Sequence, residues 1–275
     1  EDLELSPYGN RVPQFSFEVV RPAQGTLIDT VPDLVRGLRA VAMIPGTGEY
    51  ALATTPVYQK AGTGAGAVTE VVNQNAAGGG TDFTQSLTAL DEELPACEAV
   101  SLVVSWFGSD LRCGTCAVRP KVADASVDGK AMRWQVSGAS RADVGEVPRV
   151  DEASIYGGTP ADAAVIEAIA ALRAAGKAVT FYPFILMEQT GGNTLPDPWS
   201  GAGSQPVLPW RGRITLSVAP GRAGSPDRSL TAEAEVAAFF GAAQPGDFTP
   251  GEATVDYSGP AEWSMRRFIL HYAHL

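Results

Sequence analysis

Apolar residues recur at readable spacings in a few stretches of the chain, and long irregular segments join them. Near the start, Tyr8-Gly9-Asn10 gives a turn signal, after which Phe15, Phe17 and Val19 alternate with polar neighbours, the pattern of one half-buried strand. A lone strand is not stable, so this one requires partner strands from before residue 1 or from another chain. Residues 34–58 mix short apolar stretches with Pro45, Gly46 and Gly48, and 61–67 and 76–80 read as Gly/Ala-rich connections. The first clear unit begins at Thr81-Asp82, which can cap a helix running through Phe83, Leu87, Leu90 and Leu94 until Pro95 breaks it. The run Ala99-Val100-Ser101-Leu102-Val103-Val104-Ser105-Trp106 follows, apolar enough to predict a parallel strand covered on both faces.

A second unit repeats this order. Thr159-Pro160-Ala161-Asp162 offers an N-cap hydroxyl, a proline at the first helical position and an acidic side chain at the third. Behind it Val165, Ile169 and Leu172 recur at helical spacing, widened by Ile166, until Gly176 ends the helix. The strand Ala178 to Leu186 comes next, and Pro183 inside it predicts a bulge or an early end. A helix is expected over Leu230 to Phe240. The last helix is expected from Ser258, with Pro260 behind its cap and a stripe of Met265, Ile269 and Tyr272 flanked by Phe268 and Leu275. That stripe asks for a strand downstream, so the chain reads as a piece of a longer protein.

Two helix-then-strand units predict an α/β fold with a parallel sheet. The long intervals 107–158 and 187–230 leave from the C-terminal ends of strands, as the loops of a (β/α)8 TIM barrel do. The fold expected is therefore a partial TIM-barrel-like domain with long loop insertions.

Composition narrows the functions. Twenty Lys+Arg against 31 Asp+Glu give a net charge of −11, which repels nucleic acid and anionic membrane surfaces. No apolar run approaches the ~20 residues of a membrane span, and residues 1–20 lack the pattern of a signal peptide. Thirty Gly and 20 Pro imply extensive loops, and three cysteines in a chain this long do not form the disulfide framework of a small secreted domain.

Candidate chemistry gathers at the expected strand ends. Trp106, Asp110 and Arg112 cluster around the end of the first strand, and Glu188 follows the second. At a barrel mouth a carboxylate can act as general acid or base and a tryptophan can stack on a sugar ring. The alternative is that these are polar strand ends pairing with one another or with loop arginines. Cys113-Gly114-Thr115-Cys116 has the spacing of zinc ribbons and redox sites, but Cys97 is the sole further thiol. A local disulfide or two free thiols fit better than a metal. His271 and His274 lie three apart on one helix and read as solvated or loosely packed, so no metal and no cofactor is assigned. Gly157-Gly158-Thr159-Pro160 lacks a nucleotide-binding pattern and reads as a tight turn before a helix, while Arg133-Trp134 and Trp210-Arg211 read as loop anchors.

Several segments carry a resemblance: Val103-Val104-Ser105-Trp106-Phe107-Gly108, Asp110-Leu111-Arg112-Cys113-Gly114, Tyr156-Gly157-Gly158-Thr159-Pro160, Thr180 to Met187, and Pro209-Trp210-Arg211-Gly212-Arg213-Ile214-Thr215. Together they resemble the glycosidase-like TIM-barrel domain of the large tail-tip proteins of gene transfer agents, the phage-like particles of alphaproteobacteria. The likeness spans roughly residues 35–275. Residues 8–20 resemble the signature that closes a β-rich tail-hub-like domain in siphophage tail proteins. The resemblance implies two regions: residues 1–30 as the end of the hub-like domain and residues 31–275 as the N-terminal part of the barrel.

It also implies a tail-tip baseplate component that is assembled in the bacterial cytoplasm and acts at the host cell envelope. Its implied partners are the tail hub and other baseplate proteins, two further copies in a homotrimer around the tail axis, and cell-envelope glycan. Trp106, Asp110, Arg112, Glu188 and Trp210 would then be contacts to glycan or to a partner. In related hydrolases the catalytic carboxylates lie on later strands, outside this chain. The strand matching 178–186 carries Lys-Pro-His there, where this sequence has Tyr182-Pro183-Phe184. No residue here is assigned to catalysis.

Overall fold

The computed structural model of the chain describes residues 34–44, 48–61 and 68–275. The expected strand at 15–19, and the hub-like region at 1–30 to which it belongs, lie outside the described residues. A single helical turn, α1 (Leu34–Gly37), leads into strand β1 (Ala40–Met43). A hairpin follows, β2 (Tyr58–Ala61) with β3 (Val68–Val71), then helix α2 (Asp82–Glu93) and the long strand β4 (Ala99–Gly108). The first excursion carries β5 (Val118–Arg119) and two small hairpins, β6 (Gln135–Val136) with β7 (Ala139–Ser140) and β8 (Arg149–Val150) with β9 (Ala153–Ser154). Helix α3 (Asp162–Ala174) and strand β10 (Ala178–Met187) form the second unit. The chain then passes through α4 (Leu230–Phe240), the hairpin β11 (Phe248–Pro250) with β12 (Val255–Tyr257), and α5 (Met265–His274).

The architecture is mixed α/β: a parallel sheet ordered β1-β4-β10, with β5 antiparallel on the end of β4, is flanked by helices. On β4 the residues Val100, Leu102, Val104 and Trp106 are buried, and they share one core with Phe83 and Leu90 of α2, Val165 and Leu172 of α3, and Phe268 and Tyr272 of α5. Burial of this apolar row supplies most of the driving force for docking the helices. The expectation that β4 is covered on both faces fails. Ser101, Val103 and Ser105, on its other face, are only half-buried, and Tyr182 and Thr180 beside them on β10 are exposed. The two serines had already marked that face as the less apolar one.

Local signals explain most element boundaries. Thr81 caps α2 by accepting from the Thr84 N–H at 3.3 Å, and α4 spans the range expected for it, capped by Ser229. Gly176, at φ +73°, sits in the left-handed conformation just past α3, which glycine adopts without strain. Two starts differ. Helix α3 begins at Asp162 with Ala161 at the cap, because the Thr159 hydroxyl donates to the Ser105 carbonyl at 2.9 Å. Helix α5 begins at Met265 rather than near Ser258, and Ser264 caps it by accepting from the Arg267 N–H at 3.3 Å. The preceding residues are held instead by β12 and by the Tyr257 hydroxyl on the Pro260 carbonyl.

Strand β10 runs unbroken through Pro183 to Met187. The Ala178 N–H donates to Glu98 O and the Glu188 N–H to Gly108 O, so the even-numbered N–H groups of β10 face β4. Pro183 is odd, and its missing donor lies on the far edge, where no strand pairs among the described residues. The bulge expected from the sequence is therefore absent. Among the described residues no helix is long and apolar enough to cross a membrane.

Candidate functional site

The two carboxylates expected at the strand ends are both occupied. Asp110 is 3% exposed; its Oδ1 accepts from the Arg112 N–H at 2.8 Å, from Arg112 Nε at 3.1 Å and from Gln205 Nε2 at 2.7 Å. Its Oδ2 accepts from Arg112 Nη2 at 2.6 Å and from the Thr115 hydroxyl at 2.8 Å. Burial pushes this carboxyl up, and the bonds from Arg112, Gln205 and Thr115 outweigh burial, leaving it below its ordinary value of 3.8. Asp110 therefore clamps a 3-10 turn, Cys113–Thr115, to the distant Gln205 loop.

Glu188 is held by different groups. Arg119 Nη2 lies 2.8 Å from its Oε1 and Lys121 Nζ 2.7 Å from its Oε2. Lys121 also donates to the Glu146 carbonyl at 2.9 Å, which ties the end of β10 to the first excursion. Beside them Arg119 Nε and both amide atoms of Gln189 are buried without a bond partner among the described residues. Among the described residues Asp110 and Glu188 share no partner: Asp110 pairs with the loop arginine Arg112, and Glu188 with Arg119 of β5 and with Lys121.

The aromatic candidates part ways. Trp106 is fully buried on the helix side of β4, stacked on Phe268 at 4.7 Å and edge-on to Trp263 at 5.5 Å, and its Nε1 donates to the Tyr272 hydroxyl at 3.2 Å. It is a core residue and not a mouth contact, because its position shares the parity of Val100, Leu102 and Val104. Trp210 is 67% exposed and so does not anchor its loop. Trp134 does: it is buried and donates from Nε1 to the Thr159 carbonyl at 2.8 Å.

The C-x-x-C cysteines are buried free thiols, as is Cys97. Burial raises both Cys113 and Cys116, the latter to about 11, which makes them poor nucleophiles. His271 departs from expectation. It is fully buried, with Nε2 at 2.8 Å from Asp162 Oδ1, while His274 Nδ1 lies 2.7 Å from the Leu270 carbonyl and its ring stacks on Phe248. Among the described residues no group of three or more His, Cys, Asp and Glu is placed to hold a metal ion.

A cleft of about 470 Å³ beyond the end of β1 holds charged residues that sequence reasoning missed: Glu49, Arg141, Asp82 and Asp124 line it together with Tyr50. Arg141, 5% exposed, reaches Glu49 Oε2 and the Tyr50 hydroxyl through Nη2, Asp128 Oδ1 through Nε at 3.2 Å and the Asp124 carbonyl through Nη1 at 2.6 Å. Glu49 Oε1 accepts from the Ala123 N–H at 2.6 Å. Burial raises the Glu49 carboxyl above its ordinary value despite Arg141, whereas bonds from the hydroxyl and N–H of Ser126 hold Asp124 low. Burial pulls Arg141 down, but Glu49 and Tyr50 more than offset it, so the guanidinium stays charged. Gly158, at φ +74°, is needed here, since a Cβ would stand 2.9 Å from Glu49 Oε1. Glu49 and Arg141 are 92 residues apart, and Arg141 opens a short 3-10 turn (Arg141–Asp143), so neither periodicity nor a motif could have joined them.

No protein-family model matches the chain, and no curated protein matches it.

Proposed function

We infer that this chain is a structural component of the tail tip of a phage-like particle, in which a barrel-like domain serves as scaffold and its long loops as docking surfaces. Its partners would be the tail hub and other baseplate proteins, in three copies around the tail axis, at the point where the particle meets the host envelope. The reading rests on the resemblance of residues 35–275 and on the topology. The strands follow chain order, β1-β4-β10, with a helix between neighbours and no reversal of direction. An arc of a (β/α)8 barrel is built this way, whereas a doubly wound sheet reverses at a switch point.

The observation that favours scaffold over enzyme is the fate of Asp110 and Glu188. Each is tied by cations into the folding of a loop, which leaves neither free to shuttle a proton. The test removes the coding segment for residues 34–275 from the full-length protein. Particles lacking complete tails support the reading; normal tails count against it.

A second reading, a cell-envelope glycan hydrolase in a longer protein, is favoured by one feature. The cleft of about 470 Å³ at Glu49, Tyr50, Asp82, Asp124 and Arg141 is lined with polar side chains and is of a size to admit a sugar ring. Release of sugars from peptidoglycan or lipopolysaccharide by the full-length protein, lost in Glu49→Gln, would favour that reading over the first.

A further inference from the structure

Helix α4 is apolar along most of its length, Leu230-Thr231-Ala232-Glu233-Ala234-Glu235-Val236-Ala237-Ala238-Phe239-Phe240, yet none of its residues is buried. Leu230 is 80% exposed, Val236 44% and Phe240 43%. Val236 and Phe240, one turn apart, are neighbours on the helix surface and expose apolar area together. Beside the helix lies a concavity of about 420 Å³, within the range of small-molecule sites, walled by Ile185, Ile214, Val236, Phe239, Phe240 and Met265.

One charged residue lines it, Arg211. Its guanidinium sits 3.9 Å over the Phe184 ring and has no carboxylate partner among the described residues, in a chain of net charge −11. Neither glutamate of α4 lines the pocket, and Glu235 is engaged elsewhere: it accepts from the Ser217 N–H at 2.7 Å and from its hydroxyl at 2.6 Å. The backbone of the wall is bonded too. The Thr215 N–H donates to Leu111 O, the Thr215 carbonyl accepts from the Cys113 N–H, and the Arg211 carbonyl accepts from the Ile214 N–H. An extended peptide laid into this wall would bury amide groups with nothing to bond, which is costly; an alkyl chain has none.

We propose that this pocket binds an amphiphilic anion, a single alkyl chain lying against α4 with its carboxylate paired to Arg211. The site is distinct from the cleft at Glu49 and does not depend on the tail-tip reading. The test titrates the full chain with dodecanoate below its micellar concentration by calorimetry, alongside neutral dodecanol and the cation dodecyltrimethylammonium. The expected result is saturable binding of one dodecanoate per chain and weaker binding of both comparators. Arg211→Gln should weaken dodecanoate roughly tenfold, the scale of one charge-assisted bond, and erase its advantage over dodecanol. Val236→Asp should abolish binding with the melting temperature held within a few degrees, as suits an exposed helical position. If Val236→Asp fails to fold, Arg211→Gln alone decides. Absence of saturable binding, equal affinity in Arg211→Gln, or equal affinity for the three amphiphiles overturns the proposal.

Discussion

Asp162 joins four segments from a site with no exposure to solvent. Its Oδ1 meets His271 Nε2 of α5, and its Oδ2 accepts from the Thr254 hydroxyl at 2.7 Å and from the Ser137 N–H at 3.3 Å. Replacing it with alanine strands several buried polar groups at once. We expect Asp162→Ala to cost about 3–5 kcal/mol in urea unfolding, and Asp162→Asn, which keeps an acceptor and the shape, to cost less. Asp110 makes a prediction about pH. Its folded-state carboxyl lies below the ordinary value of 3.8, so its contribution is fully present above that pH and is lost as the pH falls through the lower, folded-state value. The stability gap between wild type and Asp110→Asn should be about 1–3 kcal/mol at neutral pH, and should narrow when both are measured near pH 3.

Legibility at this scale was uneven, for a physical reason. Thr159 and Asp162 sit at capping-box spacing, but each spends its side chain on a partner more than 50 residues away, and spacing carries no record of such partners. Pairing of the strand-end carboxylates with arginines was one alternative the sequence left open; the Lys121 partner of Glu188 was not foreseen. Neither was the Glu49–Arg141 cleft.

Among the elements, α2, α4, β4 and β10 could be read because each combines a long apolar pattern with a clear stop. Strand β1 could not. It has four residues, and its pairing with β4, Ala40 opposite Ala99 through Met43 opposite Leu102, leaves no periodicity in so short a run. The hairpin of β2 and β3 was hidden by the Gly/Ala-rich segment between its strands. Pro183 misled by its residue type: a proline weakens a strand only where its N–H would have been bonded, and here that position faces the open edge. Native-state hydrogen exchange checks this directly. The amides of Thr180, Tyr182 and Phe184, which face β4, should exchange more slowly than those of Val179, Phe181 and Ile185, and Pro183→Ala should shift stability by less than about 1 kcal/mol. Fast exchange at the even positions would reverse the assigned edge.

For the whole molecule, the parity of β4 organises both the core and the surface. One face of the sheet docks three helices; the other, with Ser101, Val103, Ser105, Thr180 and Tyr182, remains partly open. The long excursions are folded rather than loose, since Asp110, Glu188 and Arg141 each bind one loop to another. Charge placed at the strand ends is thus spent on holding loops in shape, which suits the docking scaffold proposed above. Electron cryomicroscopy of purified particles that carry the full-length protein tests this account most directly. It predicts density at the tail tip that fits the β1-β4-β10 sheet and its helices, with the excursions 107–158 and 187–230 against neighbouring subunits. Complete tail tips with no density for this domain would contradict it.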